Sequence, residues 1–343
     1  MNFTIKVTSI GGILLLGLAV LNPANAQSVE AFYKGKTISL IIGSGPAGSY
    51  NRYARTLARH MGKHIPGNPA FVAQNMPGAG ATVAASHLFT KAAQDGTVIG
   101  AIQRTTHLDP LLFPGKYLFE ATKFHWLGSL ATVTNLIITW HTAKVKNLKD
   151  LLSKDVILAA TGARTDGVIF PKLLNEWLGG RIKVVAGYKG SGSMFLAMER
   201  GEVTGRGGVP WATVKSARGQ WVKDKKIDIP LQLAMEKNPE LPDVDFLLDY
   251  IKDPAQRAAF ELLFGRQEMG RPYVIPPRVP ADRVKALRKA FADTTRDPDF
   301  QADLAKQKFS LTLRTGEQVQ AIVAAAYATD KKTIDMMRKV LAK

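Results

Sequence analysis

The chain has 343 residues, no cysteine and a formal net charge of +18. That length suits two ordinary domains and can bury a large core without covalent staples. The missing thiols exclude disulfides, thiolate catalysis, cysteine-ligated metals and a lipid-modified N-terminal cysteine. The basic excess fits either a solvated surface or the steering of small anions. Nucleic acid is not an expected partner, since no recognition motif appears and the leader described next would export the chain.

Lys6 is the only charged side chain before Glu30, residues 10–21 are apolar, and Ala24-Asn25-Ala26 has the small-x-small form of a processing site. This predicts a signal peptide over 1–26, cleaved after Ala26, and a periplasmic protein. About twelve apolar residues are too few to span a bilayer, and no later apolar run approaches the ~20 that would.

From there the rhythm is strand, loop, helix. Residues 37–42 read as a strand. At 50–61, Tyr50, Tyr53, Ala54, Leu57, Ala58 and Met61 keep a helical period, with Arg52, Arg55 and Arg59 on the other side. A strand at 70–73, a turn at Pro77-Gly78-Ala79-Gly80, a helix at 81–92 and a strand at 98–102 complete a βαβαβ unit, which predicts a largely parallel sheet. Further strands are expected at 136–140, 156–160, 183–186, 203–206 and 231–234, with helices at 148–152, 168–178 and 193–200. Residues 236–272 are acidic, proline-punctuated and helical in places. They lead to a strand at 273–275, a helix at 281–292, a late strand at 311–314 and a mostly helical tail over 317–341. Two tandem α/β units suggest two lobes.

The stretch Gly43-Ser44-Gly45-Pro46-Ala47-Gly48 spells G-x-G-x-x-G between strand and helix. A dinucleotide site needs an acid about 20 residues on for the ribose. None occurs from Ala31 to Gln94, where seven Lys or Arg stand without a carboxylate. A Walker loop fails because no Gly-Lys-Ser/Thr follows. What stays open is an ordinary βα turn or an anion site, to which the helix dipole adds roughly 0.3–1 kcal/mol. His60 and His64 stand four apart at a helix end and answer its C-terminal dipole better than they make a metal site. No G-x-S-x-G elbow occurs, and Asp166 and Glu199 read as lone acids. Neither a cofactor, a metal nor a catalytic group is expected.

Several runs together resemble the periplasmic solute receptors of tripartite tricarboxylate transporters, the Bug receptors. They are the hydrophobic strand, loop and helix from Ile41 to Arg55; Asn75-Met76-Pro77-Gly78-Ala79-Gly80; Asp95-Gly96-Thr97; Tyr188-Lys189-Gly190 with Gly201-Glu202-Val203; and the return segment at 276–284. The resemblance implies an α/β flytrap with a mainly parallel sheet in each lobe. Lobe 1 would be 27–130 plus 270–343, and lobe 2 would be 131–269.

The resemblance places ligand loops at the first βα turn and at the glycine-rich turn of the second lobe. The first supplies Ser44, Pro46, Ala47, Gly48, Ser49 and Asn51; the second supplies Thr161, Gly162, Arg164 and Thr165. Lys189 and Ser191, opening the next helix, and Arg104 and Thr105, after the third strand, are further candidates. Trp211 either stacks on the ligand or sits in the core, and Arg164 either grips a carboxylate or lies on the surface. Two departures stand out. Asn51 replaces the family's Asp and cannot neutralise an ammonium, and Arg164 replaces a glycine of the second loop. The implied function is a monomeric receptor that passes a small organic carboxylate to integral-membrane transporter subunits. A sensor serving a membrane signalling partner, and a secreted enzyme, are the alternatives.

Overall fold

The computed structural model describes residues 1, 4, 28–46, 48–113, 115 and 117–342. Residues 5–26 of the expected leader, with its cleavage site, and Ala47 lie outside the described residues. No helix among the described residues is long and apolar enough to cross a membrane.

The strands are β1 (Thr37–Ile42), β2 (Ala70–Asn75), β3 (Val98–Ala101), β4 (His125–Ser129), β5 (Asn135–Trp140), β6 (Ile157–Ala160), β7 (Lys183–Ala186), β8 (Gly205–Pro210), β9 (Ile227–Leu233), β10 (Pro272–Ile275) and β11 (Arg314–Thr315). They form two sheets, in the orders β11-β4-β10-β3-β1-β2 and β7-β6-β8-β5-β9. The α/β architecture is therefore a pair of sheets with helices. β1 is parallel to β2 and β3, and β6 to β7 and β8. β10 and β11 run antiparallel to their partners, as does β5 to β8 and β9. Each sheet is thus mixed rather than mainly parallel. Parallel neighbours need a crossover helix, whereas a strand arriving from the other sheet is free of that constraint.

The chain passes between the sheets at 130–134 and returns at 269–271. A third link is the C-terminal helix Lys331–Ala342, which packs against helices Pro254–Glu268 and Asp166–Leu178. Its Ile334, Met337 and Val340 join the core formed by Leu158, Ile169 and Phe170. The first sheet has its own core, where Ile38, Leu40 and Ile42 of β1 meet Tyr53, Ala54 and Leu57 of helix Ser49–His60. Gly43 lets the first turn approach the second closely, since a Cβ there would sit 2.5 Å from that of Ala81.

Four local differences have physical causes. The strand expected at 203–206 forms later, as β8, over Gly-Arg-Gly-Gly-Val-Pro; pairing with β5 and β6 overrides weak strand propensity. β4 and helix Trp211–Lys223 carry no clear sequence signal. The tail divides into helices Gly316–Tyr327 and Lys331–Ala342, because Asp330 takes the Thr333 N–H at 2.8 Å and its hydroxyl at 2.6 Å and so starts a new helix. His60 and His64 do more than face a dipole. Their Nε2 atoms lie 3.2 Å from Asp303 and 2.9 Å from Asp297, so the first helix is tied to later ones. No group of three or more His, Asp or Glu among the described residues could hold a metal ion.

Candidate functional site in the cleft between the sheets

A cavity of about 520 Å³ opens between the two sheets. The first sheet's side contributes Ser49, Tyr50, Gly80, Gln103, Arg104, Thr105 and Asp109. The second contributes the turn Thr161–Thr165 with Asp166, then Ser191, Met194, Arg206, Gly207, Gly208 and Thr213, while Arg271 enters from the return crossing. Most of these follow the carboxyl ends of parallel strands, where open α/β sheets bind ligands.

Of the residues picked out by sequence, Ser49, Arg104, Thr105, Thr161, Gly162, Arg164, Thr165 and Ser191 are brought together here. Ser44, Pro46, Gly48, Asn51, Lys189 and Trp211 do not line this cavity. Asn51 is buried and holds the first loop closed. Its amide donates to the Pro46 carbonyl at 2.8 Å, and its Oδ1 accepts from Asn75 at 2.9 Å and Arg55 at 3.1 Å. Asn75 also donates to the Ser44 carbonyl at 2.8 Å. Gly48 is the residue before the first turn of its helix, and Lys189 is exposed. Trp211 is buried, with its indole N–H donated to Glu240 at 2.8 Å, and lines a neighbouring cavity of about 490 Å³.

Asp166 is not a lone acid. It is buried, and Arg104 reaches its Oδ2 at 2.6 Å, Asn135 reaches the same oxygen at 2.8 Å, and Arg266 grips Oδ1. Burial alone would raise its pKa, but the Arg266 and Arg104 charges outweigh that and lower it. Arg104 comes from the first sheet's side and Asp166 from the second, so this cluster pins the halves beneath the cavity. Gly208, at φ +62°, gives it room, because a Cβ there would come within 2.6 Å of the Asp166 Cβ.

The remaining charges are less well matched. Arg271 donates to Ser49 Oγ at 2.9 Å and to the Gly270 carbonyl at 2.6 Å, and its guanidinium lies 4.4 Å from the Tyr50 ring centroid. Tyr50 accepts from the Arg104 backbone N–H at 3.2 Å. Burial pushes the Tyr50 phenol up, yet the Arg104 and Arg271 charges overcome it and leave its pKa lowered. Arg164 is exposed and stacks over Phe113 at 4.8 Å. Burial raises Asp109 to about 6 against the opposing pull of Arg266 and Arg164. His107, behind the cavity, is held neutral by burial and by Arg266, down to about 3. Arg206 has no counter-charge among the described residues, and its burial lowers it to about 10. Four arginines and two aspartates line the space, and one aspartate is already saturated.

Sequence reading missed Tyr50, Gln103, Asp109, Asp166, Arg206, Thr213 and Arg271 as lining residues. Glycines flanking Arg206 were a usable signal for close backbone approach. Nothing local marks Arg271, which is brought in by the return crossing.

No protein-family model matches the sequence, and no curated protein matches it. Solved structures do match. A TctC solute binding protein from Polaromonas, without ligand, superposes with a TM-score of 0.68 at 16% identity, over 90% of this chain and 99% of that one. The periplasmic binding protein BugD gives 0.64 at 20% identity, over 90% and 98%. MatC from Rhodopseudomonas palustris, with bound malate, gives 0.62 at 20% identity, over 90% and 99%. The chain has the fold of the TctC- and Bug-type periplasmic binding proteins.

Proposed function

We propose that the protein is an extracytoplasmic receptor that closes on a small organic carboxylate between its lobes and delivers it to membrane transporter subunits. The observation that carries this reading is a cleft between two sheets whose guanidinium groups outnumber its carboxylates. In a partly dehydrated cleft such an excess attracts an anion strongly. Malate in the similarly folded MatC supports a carboxylate as the ligand.

In this reading lobe 1 comprises 27–130 with 270–343 and lobe 2 comprises 131–269, with the C-terminal helix reaching across to lobe 2. Backbone N–H groups at the start of helix Ser49–His60, the Ser49 hydroxyl and Arg271 meet the ligand from one side. Thr161, Gly162, Arg164, Thr165 and Ser191 meet it from the other. The receptor works as a periplasmic monomer after removal of residues 1–26, and performs no chemistry on its ligand.

Thermal-shift and calorimetric screening of the mature protein against mono-, di- and aromatic carboxylates tests this. A binder at 100 times its Kd should stabilise the protein by about 2.7 kcal/mol. Shifts with neutral sugars or cations, and none with carboxylates, would refute it. Recovery of a chemically altered ligand would instead indicate an enzyme.

A further inference from the structure

Arg206 sits inside β8, with β5 paired on one side of the strand and β6 on the other, so its backbone position is fixed. The residue is 8% exposed and lines the cleft. Its Nε and Nη1 are buried without a hydrogen-bond partner. Among the described residues its guanidinium lies over the Phe195 ring at 5.2 Å and closes on no carboxylate. That ring also has Arg218 at 5.1 Å, so no negative charge is supplied from this quarter. The contrast with Arg104 and Arg266 is direct, since both of those close on Asp166.

A buried guanidinium is normally paired, because removing a charge from water without compensation is severely unfavourable. Here the charge stands beside a cavity that the residue lines, with no carboxylate on it among the described residues. We propose that Arg206 anchors a subsite on the second lobe for a ligand's terminal carboxylate, which completes the ion pair that the fold leaves open. This deepens the carboxylate-receptor reading and rests on it. Ser191 and Thr213 line the same cleft, and their hydroxyls can donate to the second carboxylate oxygen. Gly207 and Gly208, directly after Arg206, let the strand pack closely on Asp166 and Gly167 at the start of the neighbouring helix, which holds Arg206 at the cleft wall. The subsite favours an oxyanion over an ammonium or a neutral hydroxyl, and it lies apart from the Ser49–Arg271 pair that would hold the ligand's other end.

The test compares the wild-type protein with Arg206→Met and Arg206→Lys, using malate, adipate and inorganic phosphate as probes. In the absence of ligand, Arg206→Met should melt higher by roughly 2 °C or more, because an unpaired buried charge has gone. It should also bind the carboxylates about 30-fold or more weakly. Arg206→Lys keeps the charge but loses the planar fork, so it should retain part of the affinity without the gain in melting temperature. A ligand-free Arg206→Met that melts below wild type, or one that keeps full carboxylate affinity, overturns the proposal. If wild type binds phosphate through Arg206 but no carboxylate, the receptor reading fails while the anion subsite stands.

Discussion

In the loop at 43–51 the polar groups are largely spent on one another, with Ser44 Oγ buried and unpartnered. Asn51 ties Pro46, Asn75 and Arg55 together, and Asn75 holds the Ser44 carbonyl. Across the cleft, Arg206 has Nε and Nη1 buried without a hydrogen-bond partner, and beside the loop Arg271 has a buried Nε without one. Both regions belong to the proposed ligand site, but the unmatched charge stands outside the loop itself. A glycine-rich turn can thus serve as a rigid scaffold whose side chains hold its own shape. In the proposed receptor, ligand specificity then falls to residues drawn in from distant parts of the chain.

The sharpest way to break this contrast is at the cluster beneath the cavity. Asp166→Asn preserves size while leaving Arg104 and Arg266 without their shared carboxylate. It should destabilise the fold by about 3–5 kcal/mol in denaturant titrations, as removal of one member of a buried ion cluster does. A loss under ~1 kcal/mol would mean that the cluster is not holding the halves together.

Asn51→Asp comes next. It restores the acid found in the resembled receptors but removes the amide donor to Pro46 and sets a carboxylate oxygen against that carbonyl, while Asn75 and Arg55 still donate to its other oxygen. A loss of about 1–2 kcal/mol is expected, with carboxylate selectivity retained. Acquired affinity for amino acids at unchanged stability would show instead that the loop side chain reads the ligand.

The smallest effect concerns Asp109, raised to about 6 by burial despite Arg266 and Arg164, with the Tyr117 and Tyr327 hydroxyls also sensing its charge. Above pH 6 it adds a negative charge to the cleft, and below it the charge is gone. Carboxylate affinity should therefore rise on the order of 5-fold as pH falls through about 6. The linkage has the same sign for the ligand-free protein. The folded chain holds this proton at pH values where the unfolded chain has lost it, so stability contributed by this group falls as pH rises from 3.8 to about 6. Calorimetry across that range should lack this falling contribution in Asp109→Asn, leaving the rise from carboxylates held low, such as Asp297 and Asp303.

The framework was readable because apolar runs such as 37–42 and the glycine turns after them are local signals. β1 falls at the predicted residues. The site was only half readable. Its loop residues follow strand ends, which sequence can locate. Asp166, however, meets partners 31, 62 and 100 residues away, and no local pattern carries that information. Arg206 was hidden for a different reason. Its strand is rich in glycine and proline, and whether a guanidinium lacks a partner is a property of the finished packing.

The path of the last helix has a practical use. Lys331–Ala342 follows the first sheet's final strand, yet its apolar side is embedded in the other half. A fluorophore near exposed Ala342 therefore reports on the second lobe although it sits at the chain's end, and one at exposed Lys36 reports on the first. Energy transfer between the two would turn any opening or closing of the cleft into an optical signal, with no label placed near the ligand.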